Sequence, residues 1–219
     1  MPRTVLVTEG DSPLGAALTR LFRERGCNVV STRAQASGDP ADADAAAGRT
    51  LVTSWNRRSP VSAHTVVRAA LNAFSSIEEA LILEPPCEVE KQLLKVESAA
   101  IEKAFDDARG PVFLAREILG FFGKSGGVLC LVSGGPASGP VESGMRECFR
   151  GMASALLAEK GKNGPVVNGF QQGDAEVADY AAFIDRTLEE KGRKLTGRWF
   201  TCAARGGLFQ TAKNLKRGF

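Results

Sequence analysis

The sequence has one histidine and no CxxC pair, so it lacks the ligand spacings on which zinc fingers and related metal sites are built. His64 lies beside Thr65 and Val66 on a helical pattern and reads as structural. The five cysteines, Cys27, Cys87, Cys130, Cys148 and Cys202, are odd in number and widely spaced. Free thiols in a reducing compartment are the expectation. Neither sign of charge is in excess. The 28 Lys and Arg against 25 Asp and Glu leave +3, too little to imply nucleic acid or an anionic membrane as partner. No run approaches the ~20 apolar residues of a membrane span, and the N-terminal residues lack the basic-then-apolar layout of a secretory signal. These absences point to a cytoplasmic protein without nucleic-acid or membrane partners. At 219 residues one domain covering 1–219 is expected.

What is present is an alternation of strand and helix patterns. Thr4 to Thr8 reads as a buried strand, Leu14 to Arg25 carries apolar residues at helical spacing, and Asn28 to Thr32 reads as a second strand after Gly26. Such a βαβ unit builds parallel sheets. Residues 34–48, rich in Ala, Asp and Gly, read as a solvated loop or weak helix. Further strands are expected at Thr50–Trp55, Ala80–Leu83, Val128–Val132, Pro165–Asn168 and Trp199–Ala203. Helices are expected at Pro60–Phe74, Glu90–Phe122 with a break at Gly110-Pro111, Gly144–Lys160 and Ala175–Glu190. About seven strands alternating with helices imply a doubly wound α/β fold, a parallel sheet covered on both faces.

Several segments, taken in order, resemble the short-chain dehydrogenase/reductase family over nearly the whole chain. Val7 to Gly15 stands where that family has its TGxxxGxG turn, and Arg109 to Leu114 resembles the start of its long dimer-forming helix. Val128 to Ser133 resembles the strand ending in the catalytic serine. Val167-Asn168 with Gly173 resembles the VNxxxPG strand, and Leu195-Thr196-Gly197 with Gly206-Gly207 resembles the C-terminal TGxxxxxDGG signature. The resemblance implies a Rossmann-like fold, a nicotinamide cofactor and carbonyl–alcohol interconversion.

It also shows where this chain departs. Cofactor contacts would fall to Thr8, Gly10, Ser12, Leu14, Gly15 and Arg33. Glycines in such a turn let the backbone approach a pyrophosphate at a helix N-terminus. Here the first family glycine is Glu9 and the second is Pro13, so only Gly15 is in register and Gly10 is displaced by one residue. Pro13 removes a backbone donor, and the alternative role for Asp11 or Ser12 is simply to cap the helix. Arg33, at the end of the second strand, favours a 2′-phosphate and so NADP, unless it is an ordinary surface arginine. Weak or lost NADP binding is the expectation.

Of the family's catalytic set Ser133 alone is retained. Counting back along the following helix places Glu142 at the tyrosine and Arg146 at the lysine. Asp107 stands at the asparagine, and Leu83-Glu84-Pro85-Pro86 at the NNAG turn. The sole tyrosine, Tyr180, lies near the start of the last helix. Guanidinium does not release a proton readily, and Glu142 serves as an acid only if burial raises its pKa. Residues 174–195 are too few for the substrate lid that the family usually inserts there. Two readings follow. One is an NADP-dependent oxidoreductase with substituted acid–base residues. The other is a non-catalytic subunit that partners a catalytic relative. The apolar run Val112 to Leu114 with Ile118, Leu119, Phe121 and Phe122 is wider than one sheet-facing stripe, so a homo-oligomer or a hetero-oligomer with a related subunit is expected.

Overall fold

The computed structural model describes residues 2–34, 49–159 and 164–203. Seven strands form one parallel sheet: β1 (Thr4–Val7), β2 (Asn28–Arg33), β3 (Thr50–Ser54), β4 (Glu79–Leu83), β5 (Val128–Ser133), β6 (Val166–Gln172) and β7 (Arg198–Cys202). Their order is β3-β2-β1-β4-β5-β6-β7. The chain therefore reverses direction across the sheet between β1 and β4, where the carboxyl ends open a crevice. Five helices connect the strands: α1 (Pro13–Glu24), α2 (Pro60–Phe74), α3 (Ser98–Ser125), α4 (Pro140–Ala158) and α5 (Val177–Thr187).

Alternation along the strands divides the core. Val5 and Val7 join Leu18, Phe22, Tyr180 and Ile184 on the face covered by α1 and α5. Leu6 points the other way, into a second cluster with Val66, Leu114, Ile118 and Leu129 under α2, α3 and α4. Side chains of successive strand residues alternate between faces, so a strand buried on both sides reads as one apolar run.

The expected break at Gly110-Pro111 is absent, and α3 runs unbroken with Pro111 inside it. A proline there forfeits one helical hydrogen bond, but the burial of Pro111, Leu114, Ala115, Ile118 and Phe122 holds the helix together. Gly110 is needed for a different reason. A Cβ on it would come within 2.6 Å of the Arg57 Cβ, so the glycine lets the turn after β3 press against α3. Residues before Ser98 do not belong to α3; they hold a single 3₁₀ turn, Leu93–Lys95. α4 begins earlier than the pattern implied, with Pro140 in its first turn. α5 ends in a π-helical turn, Leu188–Gly192. Most of the Ala-rich stretch, residues 35–48, lies outside the described residues.

At the amino edge of the sheet charges are buried together. Glu79, 1% exposed, accepts from Arg193 Nε at 2.6 Å and lies 3.6 Å from Arg3 Nη1. Asp185 pairs with Arg25 at 2.6 Å. One oxygen of each carboxylate, Glu79 Oε2 and Asp185 Oδ1, is buried without a hydrogen-bond partner among the described residues. Burial pushes the Glu79 carboxyl up to about 7; Arg3 opposes this, and Asp185, Glu189 and Glu78 add to it.

A raised folded-state pKa on an acid stabilises the fold below its unfolded value and is lost as pH rises. The window runs from 4.5 to about 7, and the shift is worth roughly 3 kcal/mol. In urea titrations across that window the wild type is expected to lose about that much more stability than Glu79→Gln. Parallel pH dependence in the two proteins would remove the assignment.

Candidate functional site

The crevice at the switch point is built first by the turn after β1. Glu9 stands there with φ 55°, in the left-handed region, and its side chain is buried. Arg57 reaches it with two parallel hydrogen bonds, Nε to Oε1 at 2.8 Å and Nη2 to Oε2. Local sequence aims Arg57. The Asn56 side chain accepts from the Arg58 amide at 3.0 Å, and Ser59 caps α2 ahead of Pro60, so the turn is tight and Arg57 projects back across the crevice. Burial pushes the Glu9 carboxyl above its ordinary value, and Arg57 pulls it back. Asp107 on α3 extends the network, with Lys103 Nζ at 2.7 Å, Arg58 Nε at 3.4 Å and Arg57 Nη1 at 3.7 Å.

The residues expected to hold a cofactor are otherwise engaged. Thr8 is buried and its hydroxyl accepts from the Leu83 amide at 2.8 Å, tying β1 to the end of β4. The Gly10 amide donates to Thr32 O, and a Cβ on Gly10 would sit 1.9 Å from Ser31 Oγ. A Cβ on Gly15 would fall 2.0 Å from Glu9 O. Both glycines thus serve chain packing. Ser12 is the cap of α1, and its hydroxyl accepts from the Gly15 amide at 3.0 Å. Leu14 packs against the core. Arg33 is exposed at the end of β2, and its carbonyl accepts from Trp55 N. A cleft of about 470 Å³ lies above them, lined by Asp11, Ser12, Pro13, Arg57, Lys103 and Asp107 among others. A pyrophosphate fits this lining poorly. Pro13 has no amide hydrogen, the Gly15 amide is taken, and three carboxylates stand close by.

A second cluster forms at the ends of β4 and β5. Ser133, 1% exposed, donates its hydroxyl to Glu84 Oε2 at 2.8 Å. The Gly134 amide donates to the same oxygen at 3.0 Å. Arg146 Nε donates to Glu84 Oε1 at 2.8 Å, and Arg146 Nη2 lies 3.3 Å from Glu142 Oε1. Beside Glu84 a partly open pocket of about 40 Å³ is lined by Pro85, Pro86, Val112, Met145, Phe149 and Met152 among others.

The expected site residues therefore divide. Ser133 and Arg146 meet through Glu84, with Glu142 on the far side of Arg146. Asp107 pairs within the Arg57 cluster and also lines the space beside Glu84. For Glu142 the shift runs in the direction opposite to an acid role. Partial burial raises its carboxyl, but the hydrogen bonds from Ser138 and the charges of Arg146 and Lys91 outweigh that and hold it below its ordinary value. Tyr180 is buried and donates to Ser133 O at 3.1 Å, and burial pushes its phenol well above its usual range. Sequence reasoning missed Arg57 and Lys103. The signal for Arg57 was the Asn-Arg-Arg-Ser run after the third strand, opposite a carboxylate where a glycine is usual. Gly206 and Gly207 lie outside the described residues.

The Glu9 backbone yields a test. Both Glu9→Ala and Glu9→Gly leave Arg57 without its main partner, a loss of about 3–5 kcal/mol for a buried pair. Glycine adopts a left-handed φ freely, whereas alanine does not. Glu9→Gly is therefore expected to be more stable than Glu9→Ala by about 1–2 kcal/mol in urea unfolding, and equal stabilities would contradict the backbone assignment.

No protein-family model matches the chain, and no curated protein sequence matches it. Solved structures do. A short chain dehydrogenase from Mycobacterium smegmatis is 13% identical with a TM-score of 0.77, over 94% of this chain and 93% of that one. A dehydrogenase/reductase from Sinorhizobium meliloti 1021 is 18% identical with a TM-score of 0.74, over 91% and 92%. The NADH-dependent reductase A1-R′, solved in complex with NAD, is 14% identical with a TM-score of 0.75, over 92% and 95%. With the strand order and the crevice at β1 and β4, these likenesses establish that the chain has the fold of the short-chain dehydrogenases and reductases.

Proposed function

We propose that this chain is a divergent short-chain dehydrogenase/reductase that no longer transfers hydride, a cytoplasmic protein acting as a binding or partner subunit. The observation that carries the reading is the hydrogen bond from Ser133 to Glu84. In a reductase of this fold the serine hydroxyl polarises a substrate carbonyl. Here it donates to a carboxylate that Arg146 also holds. Nearby acids do not compensate. Glu142 is kept ionised, and the only tyrosine is buried behind Ser133. A nicotinamide cofactor would supply the hydride, but the turn from Glu9 to Gly15 does not suit its pyrophosphate. Arg33 favours NADPH over NADH in any residual binding.

Titration of the protein into NADPH, followed by cofactor fluorescence, is expected to give weak binding or none, and weaker still with NADH. General acid catalysis contributes typically ~10²–10⁴-fold, so NADPH oxidation with a panel of aldehydes and ketones should be absent or very low. Robust turnover abolished by both Ser133→Ala and Glu142→Gln would restore the enzyme reading.

Partnering draws support from α3. Its inner stripe of Leu114, Ile118 and Phe122 is buried, yet Phe105 and Val112 are 58% and 48% exposed. Phe113, Leu119 and Phe121 pack against the inner cluster, so it is the exposed pair Phe105 and Val112 that suits another copy of the chain or a related subunit. Sedimentation velocity at micromolar concentration is expected to show an oligomer, and Phe105→Glu with Val112→Glu to dissociate it. A wild-type monomer that also ignores a related subunit would sink this part.

A further inference from the structure

We propose that the Ser133 hydroxyl, the Gly134 amide and Arg146 form a receptor for the carboxylate of a short, apolar monocarboxylic acid, with Glu84 as its built-in competitor. Three donors converge on one carboxylate: two on Oε2, at 2.8 and 3.0 Å, and the guanidinium on Oε1 at 2.8 Å. Such charge-assisted bonds on both oxygens are what recognition of a carboxylate requires. The donors are fixed independently of Glu84. Ser133 ends a buried central strand and Gly134 follows it, Tyr180 holds the Ser133 carbonyl, and Arg146 on α4 is paired also with Glu142.

Glu84 is able to leave without unfolding its strand end. Its amide donates to Val132 O at 2.8 Å, and Pro85-Pro86 stiffens the chain after it, so a side-chain rotation is enough to vacate the receptor. Beside Arg146 one carboxylate replaces another, so the guanidinium stays paired. Glu142, 3.3 Å from Arg146, opposes a second negative charge and so selects against phosphate and dicarboxylates. The adjoining space supplies the apolar half of the specificity. Pro85, Pro86, Val112, Met145, Phe149 and Met152 line most of it, with the ion-paired Asp107 also in the lining, and its size of about 40 Å³ admits roughly three water-sized groups. A chain of a few carbons fits.

This rests on the reading that Ser133 is released from hydride transfer, and the two fail separately: NADPH turnover would refute that reading without touching carboxylate binding. The test is titration of butyrate, with butyramide and phosphate as controls, into wild type and Glu84→Ala by calorimetry and thermal shift. Removing the competitor is expected to tighten butyrate binding by about tenfold or more, the factor for a site otherwise open a tenth of the time. Butyrate, but neither control, is expected to raise the melting temperature of Glu84→Ala, and Arg146→Gln in that background to abolish the effect. A folded Glu84→Ala without saturable butyrate binding overturns the proposal, and so does binding that survives Arg146→Gln or is matched by butyramide. If Glu84→Ala does not fold, the wild type decides. Excess butyrate must then shift the Gly134 amide resonance where butyramide does not, and an unmoved resonance is equally fatal.

Discussion

The ion pair between Glu9 and Arg57 governs what the crevice of this sheet is able to hold. A parallel sheet with its order reversed between β1 and β4 offers a cleft at its carboxyl edge whatever the side chains are. In this chain the cleft is crossed by a buried guanidinium that needs a carboxylate, and the carboxylate comes from the turn where a glycine would leave room. Desolvation makes an isolated charge there costly, so the two residues stand or fall together. Asp107 then satisfies the outer side of Arg57 and is itself shared with Lys103 and Arg58.

The same logic recurs at β4 and β5. Glu84 satisfies Ser133, Gly134 and Arg146 at once. In both clusters the polar groups at the crevice are satisfied by contacts inside the chain. They are joined through α3, because Gly110 lets Arg57 approach the helix one turn beyond Asp107, and the space beside Glu84 is bounded partly by that helix. An unbroken α3 is thus a condition for both, which explains why Gly110-Pro111 sits within a helix rather than ending one.

Much of the fold was legible because its strands are continuous apolar runs and its helices carry apolar stripes at helical spacing. α2 matches its pattern from Pro60 to Phe74. Gly110-Pro111 misled, since local propensity says break and only tertiary packing says continue. The site was legible in part. Ser133 was recognisable by its place at the end of the fifth strand, whereas Arg146, like Glu142, rests on a count along the helix. That Glu84 joins them was not recognisable, because partners 49 and 62 residues apart leave no mark in local spacing. Glu9 read as a lost glycine; its partner 48 residues on turned the loss into a built feature. Glu142 was placed by counting along the helix, and the hydrogen bonds from Ser138 that settle its ionisation depend on the loop geometry before α4.

Tyr180 is the only tyrosine in the chain, and its hydroxyl rests on the carbonyl of Ser133 in the interior. Its ring therefore gives one unambiguous set of aromatic signals, uncrowded by others of its kind. Those signals originate at the hydrogen bond to the Ser133 carbonyl, within electrostatic reach of Glu84. The molecule carries its own label behind the site, sensitive to rearrangement of the strand end and needing no added chromophore.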